Sequence, residues 1–182
     1  MNNILLKDLF RYVGEDNTKL KTKLRYILFT PGFQYTYFLR KTQNAKNLII
    51  KIFWMLFLRG CMFKTGIQIP YYTKIGEGLR IAHFGNIVIN PYANIGKNFT
   101  IGHGCLIGSA SGKKEGIPVI GNNVFMGANS IIIGGVRIGD FVMIAPGSFI
   151  NFDVPSNSIV IGNPGKIIPS NRPTDKYNVY TV

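Results

Sequence analysis

Two histidines, His83 and His103, are the imidazoles of this 182-residue chain. A neutral imidazole, with an unperturbed pKa of about 6.5, accepts a proton readily near pH 7. A free alcohol ionises too weakly to attack an acyl group unaided, so a histidine beside a hydroxyl suits general-base chemistry. Cys61 and Cys105 lie in unrelated contexts and read as buried free thiols, with no disulfide framework. Lys113 and Lys114 stand in a short polar loop, where they suit phosphate or an acidic acceptor. Catalytic zinc takes three protein ligands, and two histidines do not supply them, so no metal is expected. The sequence contains neither a Walker phosphate loop nor a dinucleotide glycine fingerprint.

What positions these residues is a six-residue repeat. Ile69, Ile75 and Ile81 begin it, Ile89, Ile95, Ile101 and Ile107 continue it, and Ile120, Met126, Ile132, Ile138, Ile144 and Ile150 complete it. A period of six fits neither an amphipathic helix nor one long strand. It fits a coil of short parallel strands in which one large aliphatic per strand points inward, a signature of β-helices. The thirteen positions, at three strands per turn, predict four to five coils with one continuous aliphatic stack.

The repeat breaks twice. Ile81 to Ile89 is two residues too long, around His83-Phe84-Gly85. Ile107 to Ile120 is seven too long, which predicts a loop over Ser109 to Gly116. Insertions in a solenoid emerge as loops on one face, often the binding face. His103 follows a repeat glycine in an unbroken coil and is expected to face outward near the site.

Residues 1–64 read as a basic, aromatic helical segment, 65–170 as the solenoid with its C-terminal cap, and 171–182 as a loose tail. Leu5, Leu6, Leu9, Phe10 and Val13 mark one helix face, and Leu20, Leu24, Ile27 and Leu28 another. Thr30-Pro31-Gly32 is a break, after which Phe33 to Phe63 reads as one or two helices. The net charge of +13 is concentrated at this end, with +9 over residues 1–65. Basic and aromatic residues together read as a helical cap with core aromatics and a solvated basic face, with peripheral contact of residues 1–64 with an anionic membrane as the alternative. No recognition motif accompanies the charge, so nucleic acid is not expected as a partner. The apolar run Leu48 to Leu58 is too short for a span of about 20 residues, and no leader peptide is apparent. The expected location is the cytoplasm, peripheral at the inner face of the cell membrane.

Three stretches carry a family likeness: GIQIPYYTKIGEGLRIAHFGNIVINPYANIG, GSASGKKEGIPVIG and SFINFDVPSNSIVIGNPGKII. With them, Thr65 to Ile168 resembles the left-handed β-helix acyltransferases of the hexapeptide-repeat family, notably serine acetyltransferases and their relatives from polysaccharide biosynthesis. The resemblance implies an all-β solenoid, a left-handed parallel β-helix with an N-terminal α-helical segment, assembled as a homotrimer. It implies acetyl-CoA as co-substrate and His83 as the general base. It places the cofactor against Ser109 and Ala110, against Gly127, Ala128, Ala145 and Pro146, and against Asn163, Pro164 and Lys166. The acceptor would meet Asn90, His103, Lys113 and Lys114.

Serine acetyltransferases carry an aspartate where this chain has Ala82, and an Arg-His pair where it has Gly116-Ile117 before Pro118. Those side chains would supply the ionic contacts of an amino-acid acceptor, each charge-assisted bond being worth about 1.5–3 kcal/mol. Their absence, with a shortened helical domain, leads to the expectation of a sugar hydroxyl as acceptor, on a glycan or sugar nucleotide of capsule, exopolysaccharide or lipopolysaccharide assembly. Serine O-acetylation is the alternative, and a non-catalytic solenoid scaffold is a second.

Overall fold

The computed structural model describes residues 3–14, 20–112 and 114–182. Four helices among them precede the coil: α1 (Asn3–Val13), α2 (Leu20–Phe29), α3 (Pro31–Asn44) and α4 (Leu48–Thr65). Pro31 occupies the first turn of α3, where its missing N–H costs nothing, so the Thr30-Pro31-Gly32 break is the start of a helix. Asn47 caps α4, its side-chain oxygen accepting from the N–H groups of Ile49 and Ile50 at 2.9 and 3.2 Å. Gly66 ends α4 in the left-handed region (φ 69°), a conformation without penalty for glycine, and the first strand starts at Ile67.

From there the chain winds through strands of two to four residues, stacked in three parallel sheets. The first face holds Ile67–Gln68, Ile87–Ile89, Leu106–Gly108, Ile131–Ile133 and Phe149–Ile150. The second holds Lys74–Ile75, Asn94–Ile95, Val119–Ile120 and Arg137–Ile138. The third runs from Arg80–Ile81 through Thr100–Ile101, Phe125–Met126 and Val142–Ile144 to Ser158–Ile161, and ends on the antiparallel strand Lys166–Pro169. Register pairs like with like, as in Ile75 with Ile95 and Ile81 with Ile101. All thirteen repeat positions are buried. A second inward position lies two residues earlier in each strand and varies in size, with Ile67, Thr73, Leu79, Ala93, Phe99, Cys105 and Ser130 among its buried occupants. Both cysteines are buried and free, and burial pushes the Cys61 thiol up to about 11.

Among the described residues no strand precedes the first coil, so its backbone groups need other partners. The helices supply them. The Tyr12 hydroxyl donates to the Ile81 carbonyl at 3.1 Å and accepts from the Ile81 N–H at 2.9 Å. The Tyr35 hydroxyl does the same for Ile69, at 3.0 Å each way. Asp8 accepts from the Gly78 and Leu79 N–H groups at 2.8 Å and pairs with Arg40, whose Nε lies 2.8 Å from Asp8 Oδ2. Arg40 then donates to the carbonyls of Ile75 and Gly76. Burial pushes the Asp8 carboxyl up, while Arg40 and the two N–H groups pull it back.

Arg11 is also buried, and it ties the two ends of the chain together. It donates to the Gly78 carbonyl, to Thr100 Oγ1 and to Asn178 Oδ1. Burial, with Arg80 nearby, lowers its pKa to about 10. Residues 171–182 are therefore not the loose tail expected. Thr174 and Asn178 are buried, the Tyr177 ring lies 4.4 Å from that of Phe125, and the Val182 N–H donates to Asn98 Oδ1. The polar character of the segment conceals side chains that bond to the coil wall.

Asp8→Ala leaves Arg40 buried without a counter-charge and should cost about 3–5 kcal/mol in urea unfolding. The apolar pair Asp8→Leu/Arg40→Met should recover little of it, because two N–H and two C=O groups of the coil lose their partners too. A Cβ on Gly32 would sit 2.2 Å from the Ile81 carbonyl oxygen, so Gly32→Ala should lower stability by about 1–3 kcal/mol. Gly60, inside α4, has nothing within 4 Å of an added Cβ, and Gly60→Ala should raise stability by about 0.5–1 kcal/mol.

Candidate active site

His83 and His103 come together at the corner between the third and first faces. The parallel register of Ile81 with Ile101 continues into that corner, with the Ala82 N–H donating to the Ile101 carbonyl at 2.9 Å. The two rings lie one coil apart, 5.9 Å between centroids and nearly perpendicular. Both side chains are exposed. The Gly104 N–H donates to the Gly85 carbonyl at 2.8 Å, which fixes one turn on the other. No side chain among the described residues hydrogen-bonds His83, and His103 is its ring neighbour. The first break leaves Phe84 about half exposed beside it.

The same corner continues up the coil. The Gly102 N–H donates to Met126 O, the Gly127 N–H to Ile144 O and the Ala145 N–H to Val160 O. Gly127-Ala128, Ala145-Pro146 and the turn at Gly162 therefore follow the histidines in one column. A Cβ at Gly127 would lie 2.7 Å from the Pro146 nitrogen, so the coils approach there as only glycine permits. The turn holding Asn163 and Pro164, with Lys166 at its end, is exposed near the top of this column, fixed by Gly162 O accepting from Phe149 N–H and by Gly165 N–H donating to Phe149 O.

The other predicted site residues lie on a different corner, between the first and second faces. Asn90 ends a strand there, and its side-chain oxygen accepts from the Tyr92 N–H, which makes a turn. Ser109 and Ala110 start the long loop, which closes on itself through reciprocal Ala110 and Gly116 backbone bonds. The loop rests on the next coil, where the Gly135 N–H donates to Lys114 O. A Cβ at Gly134 would be 2.5 Å from that same oxygen, and Gly134 has φ 90°, so glycine is required twice over. This support is absent from the sequence-derived site, although the Gly134-Gly135 dipeptide in the coil after the loop is its signal. Lys114 pairs with Asp153 at 2.9 Å, both exposed, and Asp153 also accepts from the Arg137 N–H. That backbone bond, with Lys114, holds the Asp153 carboxyl below the usual range. Lys113 lies outside the described residues. No group of three or more metal-ligating side chains occurs among the described residues.

Ala82 is half-buried with its backbone in the coil ladder, and Ile117 packs against the core. Neither position presents a charge to the site.

Two repeat descriptions match this chain: bacterial transferase hexapeptide (six repeats) over residues 117–151, and the hexapeptide repeat of succinyl-transferase over residues 99–119. The chain is 31% identical over 162 residues to the serine acetyltransferase of Synechococcus elongatus, covering 87% of this chain and 66% of that protein. Curated relatives are matched over 29% to 66% of their own length. Serine acetyltransferase from Neisseria gonorrhoeae, solved in complex with serine, superposes with a TM-score of 0.70 at 29% identity, over 90% of this chain and 67% of that one. The enzyme from Brucella abortus, solved with coenzyme A, gives 0.73 at 27% identity, over 92% and 67%.

These likenesses overturn the expected sugar acceptor. Matches over about nine-tenths of the chain extend beyond the coil into the helices, so the helical segment too resembles serine acetyltransferases. The three side chains missing at Ala82 and Gly116-Ile117, with the shorter helical segment, do not outweigh a likeness that runs through coil and helices. The solenoid is the left-handed parallel β-helix that the repeat and the family likeness imply. By its repeats, its coil and its relatives, this chain belongs to the hexapeptide-repeat, left-handed β-helix acyltransferases.

Proposed function

We propose that this chain transfers the acetyl group of acetyl-CoA to the hydroxyl of serine, with His83 as general base. The observation that carries the reading is an exposed histidine at a break in the coil, on a chain whose similarity to serine acetyltransferases runs through coil and helices alike. His83 takes the proton of the serine hydroxyl, and the oxygen forms its bond to the thioester carbonyl carbon. The carbon–sulfur bond then breaks, and the proton passes from His83 to the departing thiolate. The column formed by Gly127, Ala128, Ala145, Pro146, Asn163, Pro164 and Lys166 would lie along the donor, with Ser109 and Ala110 at the loop corner.

Those two corners flank the first face, whose strands of two or three residues span roughly 10 Å. A homotrimer would bring the histidine corner of one copy against the loop corner of the next, closing a cleft that one copy leaves open. Asn90, His103 and Lys114 would then edge the acceptor.

Thiol release from acetyl-CoA in the presence of serine tests the reading. His83→Ala should lower the rate by roughly 10²–10⁴-fold with the fold intact by circular dichroism. Acetyl-CoA cleavage that is unaffected by serine, or by loss of His83, would overturn it. Ala82 and Gly116-Ile117 leave serine without those ionic contacts, so KM for serine should be high. Ala82→Asp should lower that KM by roughly ten-fold with kcat little changed, as expected for a contact present in ground and transition state alike.

A further inference from the structure

A large cluster of exposed hydrophobic side chains lies on α4. Helix α4 is apolar nearly all round, a pattern that normally means burial, yet only Leu58, Cys61 and Thr65 of it are buried. Its outer side carries Ile49, Leu56 and Phe63, exposed by 77%, 65% and 71%. Ile52 and Phe53 flank them at the helical spacing that puts all five on one face. Exposed hydrophobics on this scale mark an interaction surface. On one side the ridge runs into an apolar groove of about 390 Å³ between α4 and the first coil, lined by Met55, Leu58, Met62, Ile69 and Tyr71. Helix α2 adds exposed Leu20, Leu24 and Leu28.

The charge around this surface selects its partner. Residues 20–64 contain nine Lys and Arg and no Asp or Glu. Arg59 and Lys64 rim the ridge itself, both exposed, and Lys21 and Arg25 stand beside the α2 leucines. A second copy laid on this face would set cation against cation with no carboxylate from these helices between them. A surface that is apolar within and anionic at its edge complements it. No described helix is long and apolar enough to cross a membrane. At 18 residues α4 is roughly 27 Å long, which suits a helix lying in the plane of a bilayer interface.

We infer that the outer face of α4, with Arg59 and Lys64 at its rim, docks on an anionic lipid bilayer. The inference does not rest on the acetyl-transfer reading, since none of these residues is placed at the candidate site.

Sedimentation of the full chain with vesicles tests it, using phosphatidylcholine alone and phosphatidylcholine mixed with phosphatidylglycerol. The wild-type protein should pellet with the anionic vesicles at low salt, bind neutral ones weakly, and lose affinity as salt rises. Ile49→Ser/Leu56→Ser/Phe63→Ser should weaken binding by roughly ten-fold or more. Arg59→Gln/Lys64→Gln should weaken binding to the anionic vesicles by roughly ten-fold while leaving the neutral ones unchanged. All five positions are exposed, and unchanged thermal unfolding checks each variant. A protein that stays in the supernatant with anionic vesicles, or variants that bind as well as wild type, would overturn the inference. So would light scattering that shows copies joined through this face, separated by the serine variant, with no vesicle binding.

Discussion

A solenoid built from parallel strands has an unpaired edge at its first coil, and this chain depends on satisfying it. The edge cannot be left in contact with an apolar helix layer, because each buried N–H or C=O without a partner costs as much as a lost hydrogen bond. Two tyrosine hydroxyls act as surrogate strands, each donating and accepting at one residue, Ile81 and Ile69. The Asp8–Arg40 pair covers the turn between them, touching four backbone groups from Ile75 to Leu79. These contacts fix the helices at the base of the coil. They also fix the coil's first turns, where His83 stands.

Coil geometry then decides what that histidine can reach. Parallel register repeats every corner at each level, so a residue type placed at a corner gains neighbours directly above and below it. His103 above His83, and the small residues of Gly127-Ala128 and Ala145 above both, follow from register alone. The column is a shallow track with little side-chain relief. That favours an extended ligand held by backbone groups over a compact one held in a pocket.

Much of this was legible in the residues. The thirteen inward aliphatics are visible because each is large and spaced by six, and all are buried. The second inward position is not visible, since a site that takes Ala93, Phe99 or Thr73 at successive levels leaves no compositional trace. The two breaks mark the loops correctly, but they lie four strands apart in a coil of three strands per turn, and so fall on different corners. That remainder was available by counting and separates Asn90, Ser109 and Ala110 from the histidines. The helices mislead in the opposite direction. Leu20, Leu24 and Leu28 read as a core face and are exposed, because apolar spacing predicts which side of a helix is sticky and not whether anything in the same chain covers it. Asn178 shows the converse, as a polar residue in a tail with nothing repetitive about it that is buried through hydrogen bonds to the coil wall.

The clasp of Arg11 on Asn178 joins positions 167 residues apart. Coils can add one after another, each closing a short loop on the one before, and so accumulate quickly as the polypeptide lengthens. The first helix cannot follow that order. Its guanidinium finds part of its partner set only once Asn178 has been made, so α1 is seated after the coils that follow it. Until then α1 has only a partial seat, and the basal edge of the coil stands incompletely covered during synthesis, when strand edges are most exposed to pairing with other chains.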